Sequence, residues 1–367
     1  LKHRDTALTD NGVKAVKLDL RPGWACGEGP ESDVVVSTRA RLARNLSGRP
    51  FPGRASTADL MEVAGLVGEA INNADSELSN LEVIDLKDLG EAEREYLVDA
   101  HVASYEQVEP KDGRLIILNS EGSIAIMVNE EDHLRIQTIL AGLQPAAAWE
   151  LVDRVDDCLG RALRYEYSDG YGYLTASLSN VGTGLRISTM LHLAGLASTG
   201  RVSRTLRAAY ELGISVRGLF GEGTGGYGDF YQVSNEITLG LPEREIVHRV
   251  RGVAEYLIGE ERRARQTLSE TRRSECAARA AERLETLRRA KTAGAVEALG
   301  MLSSIRLAAC MGIVQGAGMQ LFNELLISMG IGRLSGANRV SWDAVKMEMT
   351  RAPKIRNRLE ELFVVEN

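Results

Sequence analysis

Val34-Val35-Val36-Ser37-Thr38-Arg39-Ala40-Arg41 is an apolar run that ends in two arginines at i and i+2. Alternate side chains of an extended segment point to opposite faces, so this spacing aims both guanidinium groups to one side. A second apolar run, Ser123–Val128, leads into Asn129-Glu130-Glu131-Asp132-His133-Leu134-Arg135. Three consecutive carboxylates at a strand end repel one another unless a cation meets them. Next, Ser177-Leu178-Ser179-Asn180-Val181-Gly182-Thr183-Gly184-Leu185-Arg186 is a small-residue loop, and the pattern after it predicts a helix over Leu185–Leu196. Val216-Arg217-Gly218-Leu219-Phe220-Gly221-Glu222 then sets an arginine and a carboxylate five apart, beside the glycine-rich stretch Gly221–Gly226, which reads as a mobile loop. Each motif taken singly has a bland reading as surface decoration or loop. Together they place arginines and carboxylates at the ends of apolar segments, four times in one chain.

The surrounding pattern gives the architecture. Arg114–Leu118 and Ser123–Val128 read as a hairpin joined through Asn119-Ser120-Glu121-Gly122. Tyr171–Ser179 reads as a further strand, and Ser203–Leu212 and Val247–Gln266 as helices. Residues 267–291 are dense in Glu and Arg, as a solvated helix face with i,i+4 pairs is. Residues 294–330 are helical and more apolar, and Ser341–Leu362 is a last helix that Pro353 interrupts. The chain therefore reads as α+β followed by a helical region, in three parts: a lead segment over 1–30, a main domain over 31–265 and a helical domain over 266–367.

Composition narrows the function. The 367 residues are 44% apolar, enough for a sizeable core, and the net charge of −7 argues against a general nucleic-acid or membrane-surface binder. Of the 44 basic residues 8 are Lys and 36 are Arg. Arginine is the better residue for gripping phosphates, through a forked pair of N–H bonds. Cys26, Cys158, Cys276 and Cys310 lie far apart with no CxxC and no metal-ligand spacing, which predicts neither a zinc site nor a disulfide framework and fits the cytoplasm. Leu1–Gly12 lacks the apolar stretch of a signal peptide. The longest uncharged run, Leu307–Asn323, holds three glycines and Gln315, and reads as a buried helix rather than a membrane span. No Gly-Lys dipeptide occurs, so a Walker A loop is excluded. His3-Arg4-Asp5 and Asp229-Phe230 imitate protein-kinase signatures without their context.

The four motifs resemble, in chain order, those of the phosphagen (guanidino) kinase catalytic domain: STRxR, NEEDHLR, SN-x-GTG-x-R and RG-x-x-GE. The resemblance covers roughly residues 30–265. Gly29–Asp33, Arg41–Leu46 and Phe220–Gly223 look most like the bacterial protein-arginine kinases within that family. The 36 residues before Ser37 are fewer than the helical domain that precedes STRxR in metazoan relatives, and a helical C-terminal domain is a feature of the protein-arginine kinases. The resemblance implies an antiparallel β-sheet flanked by helices, ATP and Mg²⁺ as cofactors, and transfer of the γ-phosphoryl group to arginine side chains of proteins. It assigns the nucleotide to Ser37, Thr38, Arg39, Ala40 and Arg41, to His101, to Arg135, to Arg186, Ile187, Ser188, Thr189 and Met190, and to Arg217, Gly218, Leu219, Phe220 and Gly221. Glu131 and Glu222 are the implied catalytic pair, holding the acceptor guanidinium in line and drawing off a proton. Such a transfer depends on positioning and charge stabilisation more than on covalent chemistry.

Two positions depart from the pattern. Ser177 stands where the family has a reactive cysteine, and a serine cannot supply a thiolate's negative charge. In the tail, Met347, Glu348, Arg351 and Ala352 are a degenerate form of the RDxxRA motif that binds phosphoarginine in protein-arginine kinases. The resemblance also implies a stress-response and quality-control setting, with an activator protein, Clp-type protease machinery and a homodimer as partners. A free-arginine phosphagen kinase and a pseudokinase adaptor are the alternatives; retention of Glu131, Glu222 and the five arginines speaks against the adaptor.

Overall fold

The computed structural model describes residues 20–74, 78–218, 227–316, 318–330 and 344–365. In chain order the elements are β1 (Val35–Arg44), α1 (Thr57–Asn72), β2 (Glu82–Asp85), α2 (Glu91–Asp99), β3 (Leu115–Leu118), β4 (Ile124–Val128), β5 (Leu134–Ala141), α3 (Pro145–Gly160), β6 (Tyr167–Ser168), β7 (Gly172–Tyr173), β8 (Leu185–His192), α4 (Ala194–Ser198), α5 (Val202–Glu211), β9 (Ile214–Gly218), β10 (Phe230–Asn235), α6 (Glu243–Thr271), α7 (Arg273–Arg289), α8 (Ala295–Cys310), β11 (Val314–Gln315), α9 (Met319–Ser328), α10 (Ala344–Arg358) and β12 (Phe363–Val364). Eight strands form one sheet in the order β2-β3-β4-β5-β1-β8-β10-β9. Each neighbouring pair is antiparallel. The α+β expectation, with helices flanking an antiparallel sheet, agrees with this.

Strand pairing decides which side chains share a face. Arg41 of β1 lies opposite Gln137 of β5 and Arg186 of β8, while Ala43 lies opposite Arg135. Gln232 of β10 lies opposite both Met190 and Arg217. Counting by twos from these pairs puts Arg39, Arg41, Arg135, Arg186 and Arg217 on one face of the sheet. The other face carries Ala40, Leu42, Leu134, Ile136, Leu185, Ile187 and Val233, which are buried with α1, α3, α5 and the first half of α6. Among the described residues the arginine face is covered at its flanks. On one side α2 and Leu20 pack over Ile116, Leu118, Ala125 and Met127. On the other, Val36, Ile139, Met190 and Phe230 join the apolar side chains of α7, α8, α9 and α10. The C-terminal helices thus form a wall beside the arginines.

Several local expectations change. Leu185–Leu196 is not a helix: Leu185–His192 is the central strand β8, and only Ala194–Ser198 is helical. A strand paired on both edges and buried on both faces shows no period-2 alternation, so its apolar run imitates a helix. The Tyr171–Ser179 strand shrinks to Gly172–Tyr173. Beyond it Ala176 N–H donates to Asp132 and Thr175 Oγ1 donates to the Ser177 carbonyl, and these bonds compete with a ladder. The Leu307–Asn323 run is divided between the end of α8, β11 and the start of α9. Helix α10 continues through Pro353 instead of breaking there. Buried Arg351 and Ala352 before the proline and Ile355 after it hold both halves in place. Among the described residues, no helix is long and apolar enough to cross a membrane.

Candidate active site

Five guanidinium groups on one sheet face repel one another. Arg39 donates to Gln232 Oε1 at 3.3 Å and Arg186 to Ser234 Oγ at 3.3 Å, both neutral acceptors. Burial, and then the charges of Arg135 and Arg186, lower the Arg39 pKa to about 10. Arg41 is lowered well below its ordinary value by burial and by Arg39, Arg135 and Arg186, with Glu130 the opposing carboxylate. His101 stands at the edge of the cluster, its ring stacked on Trp24 with centroids 5.0 Å apart. Burial and the Arg39 charge push its pKa down to about 4, so the imidazole is neutral at pH 7. Its carbonyl accepts a 2.7 Å hydrogen bond from Gln137, which fixes the His101 segment to the arginine floor.

The segment Asn129–His133 turns tightly between β4 and β5, with Asn129 at φ 59°. Four of its five side chains are anchored. Asn129 Nδ2 donates to the carbonyls of Leu60 and Gly113. Glu130 is buried, pairs with Arg135 at 2.6 Å and accepts from Ser104 Oγ. Asp132 Oδ1 accepts from Asn45 Nδ2 and from Ala176 N–H, each at 2.7 Å. His133 Nδ1 accepts from Leu46 N–H, and its Nε2 lies 3.1 Å from the Pro50 carbonyl. Glu131 is the exception: its side chain is 47% exposed and approaches Arg135 at 3.5 Å. Burial, followed by the Asp132 charge, raises its carboxyl above the ordinary carboxylate range, against the pull of Arg135. A carboxylate that is held in place yet still open, at the rim of a cationic floor, is suited to receiving a second guanidinium.

The Asp132 bond to Ala176 also places Ser177 beside this rim. Ser177 Oγ lies 2.8 Å from Ser179 Oγ. The two glycines of the following Gly182-Thr183-Gly184 each have a steric reason. Gly182, at φ 112°, leaves no room for a Cβ, which would lie 2.5 Å from the Thr238 carbonyl oxygen. A Cβ on Gly184, at φ 69°, would strike the Arg44 guanidinium at 2.6 Å. Arg44 in turn bonds Asp156 at 2.7 Å and stacks over Tyr173, with its charged carbon 3.5 Å from the ring centroid.

The family described as ATP:guanido phosphotransferase, C-terminal catalytic domain, matches residues 62–264, and the protein-arginine kinase McsB C-terminal domain matches residues 277–366. A protein-arginine kinase of Pelotomaculum thermopropionicum is 43% identical over 252 residues, 68% of this chain and 71% of that protein. One of Halothermothrix orenii is 40% identical over 279 residues, 76% of this chain and 79% of that protein. The chain belongs to the protein-arginine kinase family. The crystal structure of lombricine kinase superposes with a TM-score of 0.57 at 25% identity, covering 69% of this chain and 74% of that one. Membership makes the chain an ATP-dependent phosphotransferase with a guanidino acceptor.

For a guanidino phosphotransferase the sheet geometry brings Arg39, Arg41, Arg135, Arg186 and Arg217 to one face, with Ser37, Ser188 and Met190 on that face by register. The side chains of Thr38, Ala40, Ile187 and Thr189 alternate to the helix-covered face, and Thr38 Oγ1 is spent on the Gly142 carbonyl at 2.6 Å. Gly218 ends β9, opposite Tyr231. Leu219, Phe220, Gly221 and Glu222, with the glycine-rich stretch after them, lie outside the described residues. In the tail Arg351 is buried and donates to the carbonyls of Met329 at 2.9 Å and Ala293 at 2.7 Å, beside buried Ala352; Glu348 is half-buried and the Met347 side chain lies outside the description. Sequence reasoning overlooked Glu130, the partner of Arg135, Gln232 and Ser234, which accept from Arg39 and Arg186, and Gln137, which lies opposite Arg41 and donates to the His101 carbonyl. Their signal was parity with the arginines along β5 and β10, which needs the strand register to be read.

Proposed function

We propose that this chain transfers the γ-phosphoryl group of ATP to arginine side chains of proteins, using the arginine face as a triphosphate cradle and Glu131 with Glu222 as the acceptor carboxylates. The observation that supports this most directly is the crowding of cations: Arg39 and Arg41 are held below their ordinary titration range by burial and by Arg135 and Arg186, while the rim carboxylate Glu131 stays open. Bound phosphates supply the missing negative charge through bidentate contacts. The acceptor guanidinium is protonated at neutral pH, so it approaches the cradle only if carboxylates escort it. Glu131 orients it in line and takes a proton as the N–P bond forms and the bond from the γ-phosphorus to the ADP oxygen breaks. His101, kept neutral, borders the nucleotide without adding a further positive charge. Mg²⁺, which dehydrates reluctantly, would offset triphosphate charge alongside the cradle arginines without needing a dedicated carboxylate cage. Among the described residues no group of three His, Cys, Asp or Glu gathers for a metal. Ser177 contributes a hydrogen bond at the acceptor side where a thiolate would contribute charge.

This reading carries the division into 1–30, 31–265 and 266–367 with it, and a cytoplasmic setting in stress response. Aberrant proteins would be marked for a Clp-type protease by a homodimer that an activator protein assists. The test is mass spectrometry for phosphoarginine under non-acidic conditions, with an unfolded protein or free arginine as acceptor. Phosphate on protein arginines, lost in Glu131→Gln with ATP binding retained, is the expected result. Transfer to free arginine alone overturns the protein-substrate reading, and a fully active Glu131→Gln overturns the assigned base.

A further inference from the structure

Three large apolar side chains stand exposed near the acceptor rim. Leu178 is 89% exposed, more than any other large apolar residue described, and Ile237 and Leu239 are 49% and 48% exposed. They come from segments some sixty residues apart, held together by hydrogen bonds. Thr238 is buried, and its Oγ1 donates to the carbonyls of Ser179 at 3.0 Å and Val181 at 2.7 Å. Its own carbonyl accepts from Thr183 N–H at 3.1 Å. Gly182 lies so close that a Cβ there would sit 2.8 Å from Leu239 Cα. With Thr238 pointing inward, Ile237 and Leu239 project to either side of it. Leu178 opens the short turn Leu178–Asn180, whose first corner is fixed by Asn180 N–H and Thr175 Oγ1 both donating to the Ser177 carbonyl. The exposure therefore belongs to a braced ridge.

The ridge meets the site at both ends. Ala176, two residues before Leu178, is tied to Asp132, the residue after Glu131. Ser234, three residues before Ile237, accepts from Arg186 of the cradle. The ridge thus borders the rim on which the proposed acceptor carboxylate Glu131 stands. An exposed apolar patch that adjoins a polar reaction site marks a recognition surface.

We propose that Leu178, Ile237 and Leu239 form a docking ridge for the polypeptide flanking the target arginine, so that arginines with apolar neighbours are preferred. The inference rests on the protein-substrate reading above. Folded proteins bury their apolar residues, so a ridge of this kind favours unfolded segments, whereas free arginine has nothing to lay on it. Because none of the three belongs to the buried core, the variant Leu178→Ser, Ile237→Ser, Leu239→Ser leaves the core intact.

The test compares two synthetic peptides, each with one arginine, flanked either by Leu and Phe or by Ser and Gly. With wild type, KM for the apolar-flanked peptide is expected to be at least about tenfold lower, the scale set by burying one aliphatic side chain. In the triple variant that advantage disappears, while kcat, KM for ATP and KM for the polar-flanked peptide stay unchanged. Equal KM for the two peptides with wild type, or an advantage that survives in the variant, overturns the ridge and leaves the protein-kinase reading standing. Transfer to free arginine and to neither peptide overturns that reading itself. Self-association of wild type that the variant abolishes, seen by light scattering, assigns the ridge to a second copy of the chain and overturns peptide docking.

Discussion

Replacing Arg39 by methionine should make the nucleotide-free protein more stable while it removes nucleotide binding. A guanidinium ordinarily titrates above about 12, and Arg39 is lowered to about 10 by burial and by Arg135 and Arg186. The folded state thus holds the charged form at a penalty on the order of 3 kcal/mol relative to the unfolded chain. The sign follows from the depressed folded pKa. Both states are charged at pH 7, so the penalty is fully present there, and it is relieved only as pH rises past about 10. Methionine keeps the apolar stem and removes the charge. Against the gain stands the lost 3.3 Å bond to Gln232, about 1 kcal/mol. Solvent at the partly exposed tip screens part of the penalty as well. A net stabilisation of about 1–2 kcal/mol remains, which is roughly 1–3 °C in Tm for a chain of this length. The assay is thermal unfolding with and without ATP. Wild type should gain Tm with ATP through binding linkage, and Arg39→Met should start higher and gain little. A variant that starts lower, or that keeps the full ATP shift, would refute the idea that the cradle is a strained cation cluster awaiting phosphate.

Adjacent carboxylates should separate cleanly. Glu130→Gln, which leaves partly buried Arg135 without its close partner, should cost about 3 kcal/mol in denaturant unfolding, whereas Glu131→Gln should unfold like wild type and lose only transfer. Acid should destabilise the protein through His101: its folded pKa of about 4 lies below the unfolded value, so the loss begins as pH falls below about 6.5 and levels off near pH 4, on the order of 3 kcal/mol. His101→Gln should flatten that part of a pH–stability profile, and an unchanged profile would show that burial and the Arg39 charge do not hold the imidazole neutral. Gly228→Ala should destabilise by about 1–3 kcal/mol, because Gly228 sits at φ 61° and a Cβ there would meet Leu299 of α8 at 2.5 Å; unaltered stability would show that α8 does not press on this turn.

The sequence by itself determined the chemistry of this protein. Arginines two apart on an apolar strand share a face through the period of the extended chain alone, and a triple carboxylate demands a cation wherever it lies. Those local facts placed the charged groups, and the resemblance of the four motifs in chain order to those of the guanidino kinases implied the activity. The glycines of Gly182-Thr183-Gly184 were legible as a loop, but not why glycine was needed, since the obstacles are Thr238 and Arg44 from distant segments. Only the tertiary structure decided that Leu185–His192 is the central strand, because a strand covered on both faces loses the alternation that identifies it. Only pairing register gathered five arginines from β1, β5, β8 and β9 onto one surface. Only packing separated Glu130 from Glu131, which are chemically identical in the sequence: one is closed over Arg135, and the other is left half exposed at the rim.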